Sequence, residues 1–333
     1  MDLADGIRVV DAHTHVMRSA DHGRELWSYF LRRPASEPGP PALHTLEEAE
    51  QLMDATGVSH MNILMFTWSG RYWRDGQHTL PDDGPARAGA AEELRSRIVD
   101  RVRANNEWAV QAVESRSRFS FFCGIDASLM TTGELLAEID DKTRRGALGV
   151  KMVPFDSGVS GNDPRLWPVY DYLQERGIPL LTEASGRPGA PGRPALFAPA
   201  LHEFPRLKLV FAHLGRDPAF AHGADQEVVE LARGHQGVFT DLSLRLPEML
   251  NGAFSASEMV EHLRRIGTDR VLFGTNYGFV DTVNQDPDHR AGDGPQVTWA
   301  QRTLVAFLEL PLQPEELTAI ASGNWNRLTT PGP

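Results

Sequence analysis

Short runs of apolar, β-branched and aromatic residues recur along the chain, each followed by a polar stretch and then by apolar positions at helical spacing. Eight such runs stand out, at residues 7–12, 61–66, 119–125, 148–153, 178–183, 207–212, 238–242 and 270–275. Several are apolar at nearly every position, as parallel strands buried on both faces are. Between the runs the spacing predicts helices. Thr45, with Glu48 three residues on, forms a capping box that opens one helix, and Gly57 closes it. Others cover residues 95–115, 133–145, 164–176, 225–233 and 256–266, and most stop at a glycine: Gly146, Gly177, Gly234 and Gly267. Strand–helix alternation repeated in this way predicts an α/β fold, a single distorted (β/α)8 TIM barrel in which residues 1–333 form one domain.

Two connections are longer than a barrel requires. One covers about residues 17–44 and includes the proline-rich residues 34–41; the other covers about residues 67–91 and carries Trp68, Arg71, Tyr72, Trp73, Arg74 and His78. Segments that follow strands form the rim where barrel enzymes bind substrate, so both read as rim insertions. They are suited equally to closing over a ligand and to packing, either on the rim or against a second copy of the chain in a homodimer.

Composition narrows the class. A chain of 333 residues with 41% hydrophobic and 23% charged residues has the make-up of a soluble globular enzyme. A net charge of −12 argues against nucleic acid and against an anionic membrane, leaving a small molecule as the expected partner. The single cysteine, Cys123, sits in an apolar run, reads as a small core residue and rules out an intramolecular disulfide. No basic N-terminal region precedes an apolar stretch and no run reaches membrane-spanning length, so a cytoplasmic location is expected.

The chemistry begins where the first run ends, at Asp11–Ala12–His13–Thr14–His15. Alternate side chains of an extended strand share a face, so Asp11, His13 and His15 point the same way and the two imidazoles can grip one divalent ion. An isolated His-x-His is equally a pair of solvated or core histidines. The other strand ends change the picture. Strand four supplies Lys151, strand five Glu183, strand six His213, strand seven Asp241 and strand eight Asn276, all polar residues closing apolar strands. If the strands are placed correctly, these residues converge at the C-terminal mouth of the barrel.

Together these motifs resemble the amidohydrolase superfamily, in particular the amidohydrolase-related branch that holds aminocarboxymuconate-semialdehyde decarboxylase-like lyases and lactone hydrolases. The resemblance runs over nearly the whole chain. It rests on Asp11 to His15, Asn106–Glu107–Trp108, Phe119 to Asp126, Gly149 to Lys151, Phe204 to Gly215, Asp269 to Tyr277 and Gly323 to Leu328. It implies a metal held by the strand-one pair, by a strand-five histidine and by a strand-eight aspartate, with the strand-six histidine as acid/base. His13, His15 and His213 match that pattern. Glu183 stands where the strand-five histidine is expected, and Asn276 where the aspartate is expected.

The two departures alter the expected chemistry. Glutamate can replace histidine as a ligand, which gives His13, His15 and Glu183 as the metal set. Asparagine offers a carbonyl oxygen but cannot take a proton from water. Lys151, Asp241, Arg71 and Arg74 are the candidates for contacting substrate, with Asp241 also suited to supporting a ligand. The expected cofactor is one divalent ion, zinc first and manganese second. The expected enzyme is a mononuclear hydrolase of a small carboxylated or cyclic, lactone or amide-type substrate, using metal-bound water with His213, Glu183 and Asn276 as catalytic residues. The alternatives are a non-oxidative decarboxylase or other lyase on the same barrel, and a metal-free barrel serving as a cyclase or binding protein.

Overall fold

A computed structural model of the chain describes residues 6–31, 44–82, 84–217, 220–283 and 298–330. Its strands follow the predicted runs: β1 Val9–Thr14, β2 Val58–Leu64, β3 Phe119–Gly124, β4 Gly149–Met152, β5 Leu180–Thr182, β6 Leu209–Phe211, β7 Val238–Asp241 and β8 Val271–Leu272. They form one sheet in sequence order from β1 to β8, with neighbours parallel. Thr14 forms a parallel bridge to Tyr277, just beyond β8, which joins the last part of the sheet to the first. This is the (β/α)8 barrel that the alternation predicts.

By its internal contacts the chain falls into two compact units. The first comprises Met1–Leu64, Arg116–Ser120 and Asp241–Arg327; the second comprises Met65–Ser115, Phe121–Thr240 and Leu328–Pro333. In the first unit the backbone of β1 is bonded to the chain that runs through and beyond β8. Ala12 N–H donates to the Phe273 carbonyl at 2.9 Å, and His15 N–H to the Tyr277 carbonyl at 2.8 Å. In the second unit one register line carries Val150, Leu180, Leu209 and Val238 across β4 to β7. All four are fully buried, each contributing about 1.5–3 kcal/mol by leaving water. The next lines carry Lys151 with Leu181, Val210 and Phe239, then Met152 with Thr182, Phe211 and Thr240. Polar side chains therefore sit within a ladder that is otherwise apolar.

The helices follow local chemistry. The capping box of Thr45 and Glu48 is present at Leu46–Thr56, and Gly57 closes that helix in a left-handed conformation with φ 79°. The second rim insertion, for which no helix was predicted, is largely helical. It contains Ser69–Gln77 and the beginning of Gly84–Glu114, which starts well before the predicted residue 95. Residues 84–91 are alanine-rich with Pro85 in the first turn, so intrinsic propensity extends the helix where no apolar stripe marks it. The first insertion begins as the helix Ala20–Leu31, whereas residues 32–43, including the proline-rich 34–41, lie outside the described residues. Cys123 is fully buried in β3, and burial pushes its thiol far above the usual range, as suits a core residue. Among the described residues no helix is long and apolar enough to cross a membrane.

Candidate active site

In the first unit, His13 and His15 extend from β1 with Nε2 facing Nε2 at 3.2 Å. His13 Nδ1 lies 2.9 Å from the Asp241 carboxylate, which fixes that nitrogen as the donor and leaves Nε2 as a lone pair. Asp241 is held in turn by Ser243, whose backbone N–H donates to its Oδ1 at 3.1 Å and whose hydroxyl bonds the same oxygen. Both histidines and Asp241 are buried. Phe279 packs against His15 with ring centroids 4.4 Å apart. Asp11, in contrast, works as a clamp. Its carboxylate accepts the backbone N–H of His13 at 3.2 Å and that of Thr275 at 3.0 Å, and also binds the Thr275 hydroxyl. Complete burial raises its pKa to about 7.

Asn276 belongs to the same unit but not to a strand. β8 ends at Leu272, and Asn276 lies beyond it with φ 61°. Its backbone N–H donates to the His13 carbonyl at 2.9 Å, while its own carbonyl accepts from Phe279 and Val280 at 3.0 and 2.8 Å. Asparagine is among the few residues that enter left-handed backbone readily, which gives this departure from the family pattern a conformational reason beside its chemical one.

In the second unit, Lys151 on β4 and Glu183 just past β5 are both buried. Glu183 Oε1 accepts a hydrogen bond from the Arg216 guanidinium at 3.0 Å; its Oε2 is buried with no hydrogen-bond partner among the described residues. Burial raises the Glu183 pKa, and the positive charges of Arg216 and Lys151 oppose that rise.

His213 lies just past β6 on backbone of unusual hand. His213 has φ 59° and ψ 36°, Leu214 has φ 52° and ψ 33°, Gly215 has φ 89° and Arg216 has φ 50° and ψ 49°. Left-handed backbone costs non-glycine residues ~1–2 kcal/mol each, so His213, Leu214 and Arg216 need outside support. Three hydrogen bonds supply it. Arg216 N–H donates to the His213 carbonyl at 2.8 Å, Gly186 N–H to the Arg216 carbonyl at 3.0 Å and Leu214 N–H to the Thr240 hydroxyl at 3.1 Å. At Gly186 a Cβ would stand 2.7 Å from Asp217 Cα and 2.8 Å from the Arg216 carbonyl oxygen, so only glycine allows this approach.

The rim arginines sit elsewhere in the second unit. Arg74 bonds the Asp156 carboxylate at 3.0 Å and its carbonyl at 3.1 Å, while Arg71 pairs with Asp75 at 2.9 Å. Asp156 also accepts the backbone N–H groups of Gly70 and Arg71, at 2.9 and 3.1 Å, so it anchors the start of the helix Ser69–Gln77. Phe66 and Phe155 stack edgewise on Trp68 beside that anchor. The sequence thus pointed to His13, His15 and Asp241, whose side chains meet in the first unit, to Asn276, whose backbone bonds His13 there, and to Lys151 and Glu183, which act on one another in the second. It missed the clamp between Asp11 and Thr275, the Ser243 support of Asp241 and the Thr240 hydroxyl. Thr240 had a signal only in being a hydroxyl next to Asp241 at the strand end, where a β-branched strand former needs no further explanation.

Solved structures with this fold include one that holds manganese. A 5-carboxyvanillate decarboxylase from Sphingomonas paucimobilis is similar at 15% identity and TM-score 0.64, over 97% of this chain and 99% of its own. A dihydroxybenzoic acid decarboxylase from a Polaromonas species, solved with bound manganese and the inhibitor 2-nitroresorcinol, is 14% identical at TM-score 0.64, over 97% of each chain. An uncharacterised TIM-barrel protein from Bordetella bronchiseptica is 17% identical at TM-score 0.64, over 97% of this chain and 98% of its own. No curated protein matches the sequence. At such identities the structures establish the shared barrel fold. The chain belongs to the amidohydrolase family, whose model, described as Amidohydrolase, matches residues 10–328.

The donors of the first unit fit a divalent ion. Two imidazole nitrogens face each other, and the carboxylate on Nδ1 of His13 fixes the tautomer that a metal-binding Nε2 requires.

Proposed function

We propose that this chain is a metal-dependent enzyme that removes a carboxyl group, without oxidation, from a small carboxylated substrate. The observation that carries this reading is the neutral Asn276 where a hydrolytic site needs a base: its amide cannot take a proton from water. Decarboxylation asks instead for cations to hold a carboxylate and for an acid to return a proton. Lys151 and Arg216 place two positive charges beside the carboxylate of Glu183, and cationic side chains of this kind suit an anionic substrate. The fold is also shared with decarboxylases of carboxylated aromatic rings.

In this reading His13 and His15 hold the ion, and their imidazole nitrogens suit zinc or manganese. Once bound, the ion supplies Lewis-acid polarisation of a substrate oxygen. The chain's own residues do the rest. Lys151 and Arg216 orient the carboxylate. The bond between it and the substrate carbon breaks, the electron pair stays on that carbon, carbon dioxide leaves and a ring N–H of His213 gives its proton to the carbon.

Hydrolysis of a lactone or amide-type bond is the second reading, and Glu183 favours it. A carboxylate with raised proton affinity and one oxygen that has no hydrogen-bond partner among the described residues can replace the missing base. The test supplies zinc- or manganese-loaded protein with a panel of small carboxylic acids, lactones and amides. Carbon dioxide released from an acid supports the first reading; a new acid from a lactone or amide, with no carbon dioxide, supports the second. If His13→Ala/His15→Ala binds as much metal as the parent, the metal site is misplaced and both readings fail.

A further inference from the structure

The left-handed turn from His213 to Arg216 raises a question that the chemistry of the site does not answer: what keeps His213 pointing one way on backbone that most residues avoid. The inward side of the turn rests on one hydroxyl. Thr240 Oγ1 accepts the Leu214 N–H at 3.1 Å and donates to the Phe211 carbonyl at 2.7 Å. Phe211 closes β6 and stands in register with Thr240 on β7. The hydroxyl therefore ties the last strand residue before the turn to the second residue within it, and the two bonds straddle Ala212 and His213. Thr240, Phe211 and Leu214 are all fully buried and His213 is 4% exposed, so no solvent stands ready to replace that hydroxyl. A threonine is unusually suited to this task. Its β-branched carbon serves the strand while its single hydroxyl both donates and accepts.

We propose that Thr240 is a positioning residue whose hydroxyl locks the left-handed turn and so sets the direction of the His213 imidazole. Replacing the hydroxyl with a methyl group preserves shape and leaves the Leu214 N–H and the Phe211 carbonyl without their partner. The turn then relaxes toward right-handed backbone, and His213 turns away from its working direction. That proton transfer by His213 matters rests on the function proposed above; the geometry of the turn does not.

The test compares Thr240→Val and Thr240→Ser with the parent chain. Without any substrate, the ring proton and nitrogen resonances of His213 should move in Thr240→Val and return in Thr240→Ser, while the Leu214 amide loses protection from hydrogen exchange. With a carboxylic acid that the parent decarboxylates, Thr240→Val should lose roughly tenfold to a hundredfold in kcat with KM little changed, the signature of a misdirected group rather than lost binding. Unmoved His213 resonances and an unchanged kcat in a folded Thr240→Val protein would make Thr240 a packing residue and overturn the proposal. Should the valine variant not fold, the parent alone decides: a Leu214 amide that exchanges as fast as an open loop rules out the lock. If no acid is turned over, the functional reading fails, while the resonances still decide the inference.

Discussion

At the end of β1, His13 and His15 extend from strand backbone and are held from the side, by Asp241 on one ring and by the Asp11 clamp behind the chain. At the end of β6, His213 rides on backbone of the opposite hand, held from beneath by Thr240, Gly186 and the internal bond to Arg216. The first arrangement puts the information in side chains and leaves the backbone relaxed. The second puts it in the backbone, so several neighbours must agree before one imidazole is aimed. A side-chain design fails when a partner is removed. A backbone design fails when a residue of the wrong conformational preference is introduced.

The largest expected effect tests the second arrangement. His213→Asn should keep its melting temperature, because asparagine enters left-handed backbone readily, yet lose about two to four orders of magnitude in turnover. Lost melting temperature with unchanged turnover per folded molecule would reduce His213 to packing and break the comparison. Asp241→Asn tests the first arrangement. An amide no longer fixes the His13 tautomer, so affinity for zinc and manganese by calorimetric titration should fall about ten- to a hundredfold. Affinity equal to the parent would mean that the side-chain partner does not matter.

A smaller effect separates the two designs by backbone alone. Gly215→Ala places a side chain at φ 89° with its Cβ 2.8 Å from the Ala224 carbonyl oxygen, and should destabilise the fold by roughly 1–3 kcal/mol in urea unfolding. A neutral result would show that the turn is not under constraint. The smallest change is at Asn276. Asn276→Gly should alter stability by less than about 1 kcal/mol, since both residues accept its backbone. Asn276→Asp should raise metal affinity if that side chain reaches the ion; unchanged affinity places it outside the site.

The same contrast explains how much the sequence disclosed. The barrel was legible because buried parallel strands are apolar at almost every position and because helices end on glycine, as at Gly57 and Gly177. The strand-one histidines were legible because a period of two is a side-chain property. The turn at His213 was not, since a left-handed conformation at histidine, leucine and arginine is imposed by tertiary hydrogen bonds that no local pattern encodes. β8 was read as too long for a related reason. Phe273, Gly274 and Thr275 continue the apolar run, yet the chain leaves the strand after Leu272 to reach the Asp11 clamp. Alanine-rich residues 84–91 were missed as helix because propensity without periodicity leaves little mark.

The clamp between Asp11 and Thr275 has a consequence for the birth of the protein. Its two halves are 264 residues apart, and His13 waits for Asp241 across 228 residues. At a ribosomal rate of about 5–20 residues per second, roughly 10–50 seconds separate the synthesis of Asp11 from that of Thr275. Until Thr275 is made, β1 has no closing neighbour, and until Asp241 is made, His13 has no carboxylate to set its tautomer. A chain that stalls before Thr275 therefore presents a bare strand edge to whatever shields unfinished chains. The histidine pair is therefore made early, and the tautomer of His13 is fixed only when a strand made much later arrives.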